Sequence, residues 1–389
     1  MANNRVYYAI QQVTFGKDSG GAGGTRTAAH GVQSIGITTN FNLEQVFELG
    51  QISIYENVEG TPDVEVTMSK VLDGYIPLYC LATADQTNGP ALSHRVDSDV
   101  KSFVQLGIWD EANQSAGENS STAGSWVEMS GLVVSSVGYN FPLDDNFSED
   151  ITLVGNYKVW KSGTATNTVS TDCGVSYYPS GAAGSFAGNN DAPIGDGGVN
   201  RRENIQFATT TAAAQSGDYT ILPEDIPGVD TSGVKNSAHV SSITVSTDVS
   251  REDIFELGAK LPYAKTVTFP VEVTCDIEVT TASGDLVNAL DDCTDASTCN
   301  TKSNLNERRI RIATCEGLRV WLGQKNKLSS VSYGGGDAGG GNATVTYSYS
   351  NFNDFTIMHS GDVSANGGST DGGTWWTNRE TYIGTGVYY

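Results

Sequence analysis

The chain has 389 residues and a net charge of −23, from 45 acidic residues against 22 basic ones. This length accommodates two or three ordinary domains. The excess of acid argues against a protein that grips DNA, because such affinity comes from Lys and Arg neutralising phosphates. Glycine is abundant at 45 residues, and Thr, Ser, Val and Tyr are plentiful. We therefore expect a mainly β protein with long polar loops.

The N-terminal segment, residues 1–31, is predicted to be one strand followed by a glycine-rich loop. The strand at 5–15 (RVYYAIQQVTF) is rich in aromatic and β-branched residues. The loop at 16–27 contains a GGAGG run that looks like a phosphate-binding loop, but no Lys-Ser or Lys-Thr pair follows it. We interpret it as a flexible connection.

The chain is organised around a repeated stretch. Residues 32–50 read VQSIGITTNFNLEQVFELG, and residues 240–258 read VSSITVSTDVSREDIFELG, which aligns without a gap. Because such self-similarity marks a duplicated unit, we interpret the chain as two copies of one domain. The copies span 32–207 and 240–389, and a linker at 208–239 joins them.

Each copy of the repeat has two parts with different patterns. The alternation around Ile35 and Ile37 predicts a half-buried strand. The helical spacing of apolar residues in NLEQVF predicts a loop with one helical turn, which Gly50 closes. The segment from there to Pro62 is predicted to be a long connection.

A second strand begins near Val64, and its counterpart in the second copy is clearer. Residues 267–279 alternate strictly between apolar residues and polar, often acidic ones, which predicts one continuous strand. The tetrapeptide VEVT occurs in both copies, at 64–67 and 271–274. Short helical segments that pack on the sheet are predicted at 75–84 and 284–290.

Further strands follow in both copies. They are predicted at 103–109, 126–141 and 150–160, with counterparts at 309–322, 328–333 and 343–358. The match of SSVGY at 135–139 with SSVSY at 329–333 supports this correspondence. An NF motif at 146–153 is aligned with a similar one at 351–357.

Two polar segments are interpreted as connections. The Gly/Ser-rich stretch at 163–198 is too long and polar for a core element and is interpreted as a surface excursion. The prolines of residues 218–229 suit an extended connector between the copies.

No constellation of residues predicts catalysis, a cofactor or a metal site. None of the 4 histidines is spaced as a zinc ligand, and no nucleotide-binding or serine-nucleophile motif occurs. The acidic cluster Asp291, Asp292 and Asp295 lacks the spacing of a calcium loop, which leaves weak calcium binding or a solvated loop. We therefore expect no enzyme, no cofactor and free thiols at the 6 cysteines.

Taken together, these motifs resemble the major tail tube proteins of tailed bacteriophages, in the duplicated form with two tube domains in one polypeptide. The resemblance is carried by Glu48-Leu49-Gly50 and Glu256-Leu257-Gly258, by the VEVT strands with their preceding proline, and by NFSEDITL at 146–153. It covers roughly residues 32–160 and 240–360.

The resemblance implies a β-sandwich domain with a short helix, whose inner sheets join into a closed barrel in the ring. Family rings are six-fold in domains, so three two-domain chains would form a pseudo-hexameric ring, and rings would stack head to tail. The implied role is structural, in a virion assembled in the host bacterial cytoplasm. Genomic DNA and a tape-measure protein would pass through the lumen, and sheath, baseplate or terminator proteins are further possible partners.

The resemblance also assigns two sets of site residues. The polar face of the repeated strands is the candidate lumen, with a helix or outer solvent as the alternative neighbour of that face. The candidate lumen residues are Ser34, Thr38, Asn40, Glu65, Thr67, Ser242, Thr244, Ser246, Asp248, Glu272, Thr274, Asp276 and Glu278. The candidate ring-to-ring contacts are Phe47, Glu48, Leu49, Gly50, Tyr55, Phe255, Glu256, Leu257, Gly258 and Tyr263.

A surface or secreted β-sandwich adhesin that binds carbohydrate is the alternative function. A signal peptide would favour it, and the N-terminal residues have no apolar stretch of that kind. No run of about 18 apolar residues occurs either, so no membrane-spanning helix is expected.

Overall fold

The computed structural model describes residues 6, 8–17, 27–50, 52–83, 101–109, 123–162, 198–215, 218–287, 305–336 and 341–359. The chain is mainly β, as the composition predicted. The elements up to residue 215 are a 3₁₀ turn at Tyr8–Ile10, β1 (Gln11–Lys17), β2 (Thr27–Ala28), β3 (Val32–Asn40), β4 (Leu43–Phe47), β5 (Ile54–Glu59), β6 (Asp63–Val71), α1 (Leu78–Ala82), β7 (Ser102–Ile108), β8 (Ser125–Pro142), β9 (Ser148–Gly155), β10 (Tyr157–Ser162), a 3₁₀ turn at Arg202–Asn204 and α2 (Thr211–Gln215). The later elements are β11 (His239–Asp248), β12 (Arg251–Ile254), β13 (Ala264–Val267), β14 (Glu272–Thr280), β15 (Arg311–Ala313), β16 (Leu318–Trp321), β17 (Lys327–Gly334), β18 (Thr344–Phe352) and β19 (Thr356–His359).

One antiparallel sheet, here called the main sheet, runs through both halves of the chain. Its strands lie in the order β3-β6-β9-β8-β11-β14-β18-β17. The long strand β8 belongs to two layers, because its first part pairs with β7 and β10 while its later part pairs with β9 and β11. In the second half, β15, β16 and β19 form a separate sheet.

The strand order of the main sheet repeats. The first half contributes β3-β6-β9-β8, and the second half contributes β11-β14-β18-β17 in the same relative order. The irregularities repeat as well. The pairing shifts between Val32 and Ser34 and again between Val240 and Ser242, at aligned positions of the repeat. A second shift occurs next to Ser136 in β8 and next to Ser330 in β17, within the matched SSVGY and SSVSY segments.

The core lies between the main sheet and a second layer of strands. Apolar residues of the main sheet, such as Val66, Val245 and Ile277, are buried in one cluster with Leu106 of β7 and Ile357 of β19. Because successive side chains of a strand point to opposite faces, this packing commits one face of the main sheet to the core. The opposite face of the sheet is left to polar residues.

A buried carboxylate fixes helix α1 against the main sheet. The oxygens of Glu149 accept hydrogen bonds from the backbone N–H groups of Leu78 (2.6 Å) and Tyr79 (2.9 Å) and from the Tyr139 hydroxyl (2.7 Å). Pro77 at the start of the helix provides no side-chain cap, so Glu149 satisfies N–H groups that the short helix leaves unpaired. The helix predicted at 75–84 is confirmed at Leu78–Ala82.

Two local predictions were wrong, each for its own physical reason. The NLEQVF segment forms strand β4 rather than a helical turn, since it pairs with β5 in a hairpin. The continuous strand predicted at 267–279 is two strands, β13 and β14. It breaks at Pro270, which has no N–H group to donate to a neighbouring strand.

Two further corrections concern one strand boundary and one alignment. The first strand begins at Gln11, after a 3₁₀ turn, rather than at residue 5. The two NF motifs are not equivalent: Phe147 precedes β9, whereas Phe352 is the last residue of β18.

The segment predicted as an extended connector is instead packed against the second half. Ile221 forms an antiparallel bridge with Arg311 of β15, and it is buried in a cluster with Ala208, Ala214 and Val234. The excursion at 163–198 lies, but for its last residue, outside the described part of the chain, as do Asp291, Asp292 and Asp295. Of the helix predicted at 284–290, residues 284–287 are described and are not helical.

We expect Glu149 to give the fold a measurable dependence on pH. Burial raises the pKa of Glu149 above its ordinary value of 4.5. The folded chain therefore holds this proton more tightly than the unfolded chain, so the free energy of unfolding falls as the pH rises through the interval between the two values. Glu149→Gln has no proton to lose at this position. Urea unfolding across this interval should therefore show the free energy of unfolding of the wild type falling relative to that of Glu149→Gln as pH rises. A difference that stays constant with pH would contradict the assignment.

Candidate assembly surfaces and channel face

The polar face of the main sheet, called here the channel face, is one continuous surface across both halves. Directly opposed residues continue it from strand to strand, for example Ser69 to Asp150, Gly138, Ser246 and Thr274. The hydroxyls along it are paired locally, as between Ser246 and Thr274 at 2.7 Å. The face is therefore rich in hydroxyls and continuous across the boundary between the halves.

Charge on the channel face is predominantly negative. Its carboxylates are Asp63, Glu65, Asp150, Asp248, Glu272, Asp276 and Glu278. Lys327, opposite Ser350 at the far edge, is a basic residue of the same face. Carboxylates arranged this way repel phosphate, and the face offers few cationic side chains to hold it.

The structure brings all the candidate lumen residues together on this face. Most are exposed, and Ser242, Thr274 and Glu278 are half-buried. The sequence patterns did not identify the contributions of β8, β9, β17 and β18 to the face. The missed residues include Ser136, Asn140, Asp150, Thr152, Ser330, Ser332, Ser348 and Ser350. The alternation in β9, where polar Asp150 and Thr152 alternate with apolar Ile151 and Leu153, was a signal in the sequence that could have identified two of them.

The two halves are joined by strand pairing between β8 and β11. Tyr139 lies opposite Val245 and Phe141 lies opposite Ile243 on the core side, and all four are buried. The ladder extends beyond the strands, because the Val249 N–H donates to the Ser135 carbonyl at 2.6 Å. This junction is a full backbone ladder with its own apolar core.

The outer edges of the main sheet are β3 and β17. Within the described residues, β3 pairs with β6 alone and β17 pairs with β18 alone. Edge strands offer unpaired N–H and C=O groups to another chain. By position in the repeat, β3 corresponds to β11 and β17 corresponds to the later part of β8, the two strands that meet in the junction.

Two hairpins project from the main sheet. The first arm, residues 41–62, contains β4 and β5, and the second arm, residues 249–270, contains β12 and β13. Gly50 and Gly258 both have a left-handed backbone, with φ of 94° and 95°, and no atom lies near the position that a Cβ would occupy. This conformation accounts for the repeated ELG motif, since glycine adopts it without strain.

The candidate ring-to-ring residues lie on these arms. The structure places an unusual number of apolar side chains in solvent there. The exposed apolar residues of the arms are Phe41, Leu43, Val46, Phe47, Leu49, Ile52, Ile54, Tyr55, Val58, Phe255, Leu257, Tyr263 and Phe269. Leu49 and Leu257 at the tips are 104% and 105% exposed. Exposed apolar surface of this extent marks an interaction site.

The two arms differ in how they are held. The second arm is seated on the first half of the chain. Arg251 Nε donates to the Val134 carbonyl at 2.8 Å, and the backbone carbonyl of Lys260 accepts from the Thr61 hydroxyl at 2.7 Å. In the first arm, every residue of β4 and β5 is exposed. The first arm is therefore a projecting hairpin whose apolar side chains meet solvent.

A metal site and a membrane-spanning helix are two further features that the described part of the chain could provide. No group of three or more His, Cys, Asp and Glu side chains there is arranged to hold a metal ion. Among the same residues, no helix has the length and apolar character required to cross a membrane.

No protein-family model matches the chain, and no curated protein matches its sequence. Among solved structures, a chain of the anti-feeding prophage cap, the tube terminating cap, is similar over 42% of this chain and 95% of that chain, with 12% identity and a TM-score of 0.29. A chain of the anti-feeding prophage baseplate, solved with 6-fold symmetry, is similar over 42% of this chain and 98% of that chain, with 11% identity and a TM-score of 0.30. At these TM-scores, neither likeness carries an argument about function.

Proposed function

We propose that this chain is the structural subunit of a phage-type tail tube, a stack of rings that conducts a genome from capsid to host cell. The observation that carries the proposal is the β8–β11 junction, which joins two equivalent halves edge to edge. It leaves β3 and β17, the same pair of edges by position in the repeat, at the two ends of the chain's main sheet.

The junction within the chain supplies a register for the junction between chains. Transferring its pairing through the repeat places Tyr333 opposite Ile37, as Tyr139 lies opposite Val245. Thr38 is then opposite Ser332, just as Ser246, which corresponds to Thr38, lies opposite Gly138, which corresponds to Ser332. Such a contact joins unlike edges, so it continues from chain to chain until the rotation closes a ring. Closure removes the exposed edges, and three chains complete a ring of six tube domains.

The ring encloses the channel face. A conduit for DNA must not hold the polyanion, and the excess of carboxylates over basic residues on this face meets that requirement. The tape-measure protein and then the genome pass over it. The role is structural rather than enzymatic, in a virion made in the host bacterial cytoplasm, and sheath, baseplate or terminator proteins are further partners of the tube.

The tips of both arms make the contact between rings. Leu257 stays fully exposed even though the root of its arm is seated on the chain. The ELG tips therefore extend beyond their own ring, and their apolar side chains are buried when the next ring stacks on it.

Negative-stain microscopy of the purified chain tests the proposal directly, and we expect rings or tubes. The chain-to-chain register is tested by the pair Thr38→Cys and Ser332→Cys. Residues directly opposed in an antiparallel ladder have Cα atoms about 4.5–5.5 Å apart, which suits a disulfide. Mild oxidation should therefore yield covalent trimers on a non-reducing gel.

The control pairs Thr38→Cys with Ser348→Cys, which lies one strand further from the edge, opposite Ser330. This pair should remain uncrosslinked, as should each single variant. Monodisperse monomers at high concentration would contradict the tube and would favour a monomeric β-sandwich such as an adhesin.

Replacing Glu272, Asp276 and Glu278 by lysine should leave tubes able to form while changing how they treat DNA. All three residues lie on the channel face of β14. We expect DNA to be retained by the variant tubes in co-sedimentation, with a retention that falls steeply as salt rises, and DNA ejection from particles carrying them to be impeded. As a control, lysines at Asp144, Asp145 and Glu203, which are exposed outside the channel face, should have no comparable effect. Normal ejection with the first variant would overturn the assignment of the lumen.

Replacing Leu49 and Leu257 by aspartate should separate ring formation from stacking. The apolar tips lose the burial that favours stacking, at about 1.5–3 kcal/mol for each fully buried leucine, whereas the strand edges are unchanged. Microscopy should then show single rings in place of tubes. Tubes of normal length would exclude the tips as the ring-to-ring contact.

A further inference from the structure

We infer that the root of the first arm docks on the second half of the neighbouring chain in the ring, where Glu59 pairs with the neighbour's Lys327. This inference rests on the proposed ring. It assigns the first arm a lateral partner, a second copy of this chain, in addition to the stacking contact made by the arm's tip.

The seated second arm is the template for this contact. Its root packs beside the β8–β11 junction, where Arg251 reaches the carbonyl of Val134. The neighbouring residue Val133 lies on the channel-face side of β8, opposite Val154, yet it is buried. The hydrogen bonds of Arg251 and of the Lys260 carbonyl hold the second arm at a defined place on the first half of its own chain.

The first arm is built in the same register as the second. Leu43 pairs with Glu59 at the root of the first arm, just as Arg251 pairs with Val267 at the root of the second. Glu59 therefore lies on the arm face that corresponds to the face carrying Arg251. If β17 meets the next chain's β3 as β8 meets β11, this face lies over the start of β17.

The target position differs between the two halves in its charge. The residue of β17 that corresponds to Val133 is Lys327, which is exposed, and Lys325 lies two residues before it. The corresponding residues in the first half, Gly131 and Val133, are uncharged. The compared positions are therefore basic in β17, at the outer edge of the main sheet, and uncharged in β8, at the internal junction.

The two arms differ in charge in the complementary sense. Residues 41–63 of the first arm and the start of β6 carry Glu44, Glu48, Glu56, Glu59 and Asp63, with no Lys or Arg. The second arm instead carries basic residues, Arg251, Lys260 and Lys265, along with its acidic ones. The acidic arm therefore matches the basic end of another chain, while the mixed arm is seated on its own chain.

Apolar complementarity supports the same docking. By position in the repeat, Ile52 corresponds to Lys260 and Phe269 corresponds to Thr61, the two residues joined by a hydrogen bond within the chain. In the contact between chains, Ile52 of one chain would therefore lie beside Phe269 of its neighbour. Ile52 is 103% exposed and Phe269 is 51% exposed. Docking the first arm on the next chain would remove both side chains from water.

The docking distinguishes the chain-to-chain contact from the internal one. Electrostatic complementarity of this kind contributes to specificity and register more than to bulk affinity. The first arm thereby binds the second half of a neighbouring chain in preference to its first half. This preference favours a ring in which first and second halves alternate.

Charge reversal tests the pair through the protein concentration at which rings form, measured by sedimentation velocity. Glu59→Lys and Lys327→Glu should each raise this concentration about ten-fold, because each places like charges together. Combining the two should restore assembly to within about two-fold of the wild type, since the pair is then reconstituted with reversed sign. The matched control is Glu44→Lys, which makes the same charge change on the opposite face of the hairpin. Because this face is directed away from Lys327, the concentration should change by less than about two-fold.

The outcomes separate this inference from the proposed tube. If the wild-type chain forms rings and both single variants form them at the wild-type concentration, the docking is wrong and the tube proposal stands. If both single variants are impaired and the combination gives no rescue, the pairing of Glu59 with Lys327 is also wrong. If the wild type forms no rings at any concentration, the tube proposal itself fails and the docking fails with it.

Discussion

The backbone ladder between β8 and β11 is the interaction on which the rest of the structure depends. It joins the two halves into one sheet, aligns their polar faces and places Tyr139 against Val245 in the shared core. Backbone pairing requires no particular side chain, so the same kind of junction can be formed by any two edges of matching twist and length. The main sheet therefore ends in two edge strands, β3 and β17, that correspond by position in the repeat to β11 and β8, the strands already joined within the chain.

The strict alternation of strand side chains connects this ladder to function. With one face committed to the core, every carboxylate of the other face is directed to the same side across both halves. Pairing through β8 and β11 keeps this arrangement in phase, since Asn140 lies opposite Thr244 just as Phe141 lies opposite Ile243. A one-residue slip would reverse the faces of one half relative to the other. The register therefore keeps the apolar side chains of both halves in the core and their carboxylates on the opposite face.

Sequence patterns predicted the elements in which burial and periodicity agree. They found the strands near Ile35 and Val64, the helix that ends at Ala82 and the acidic face of β14. The patterns failed where long-range pairing decided the outcome. The NLEQVF segment has helical spacing, yet it is a strand because β5 lies beside it, and Pro270 breaks an alternation that continues through it. Residues such as Asp150 joined the channel face only once β9 was placed between β6 and β8.

The sequence by itself determined the β class, the acidity and the duplication of a central motif that ends in ELG, because composition and internal similarity can be read from the residues alone. That ELG lies at the tip of a hairpin was decided by the structure. The tertiary structure alone decided that the two halves share one sheet, that β3 and β17 are its outer edges, and that the second arm is seated while the first projects. Each of these depends on which strands lie side by side. That arrangement is set by hydrogen bonds and packing between residues far apart in the chain, which no local pattern records.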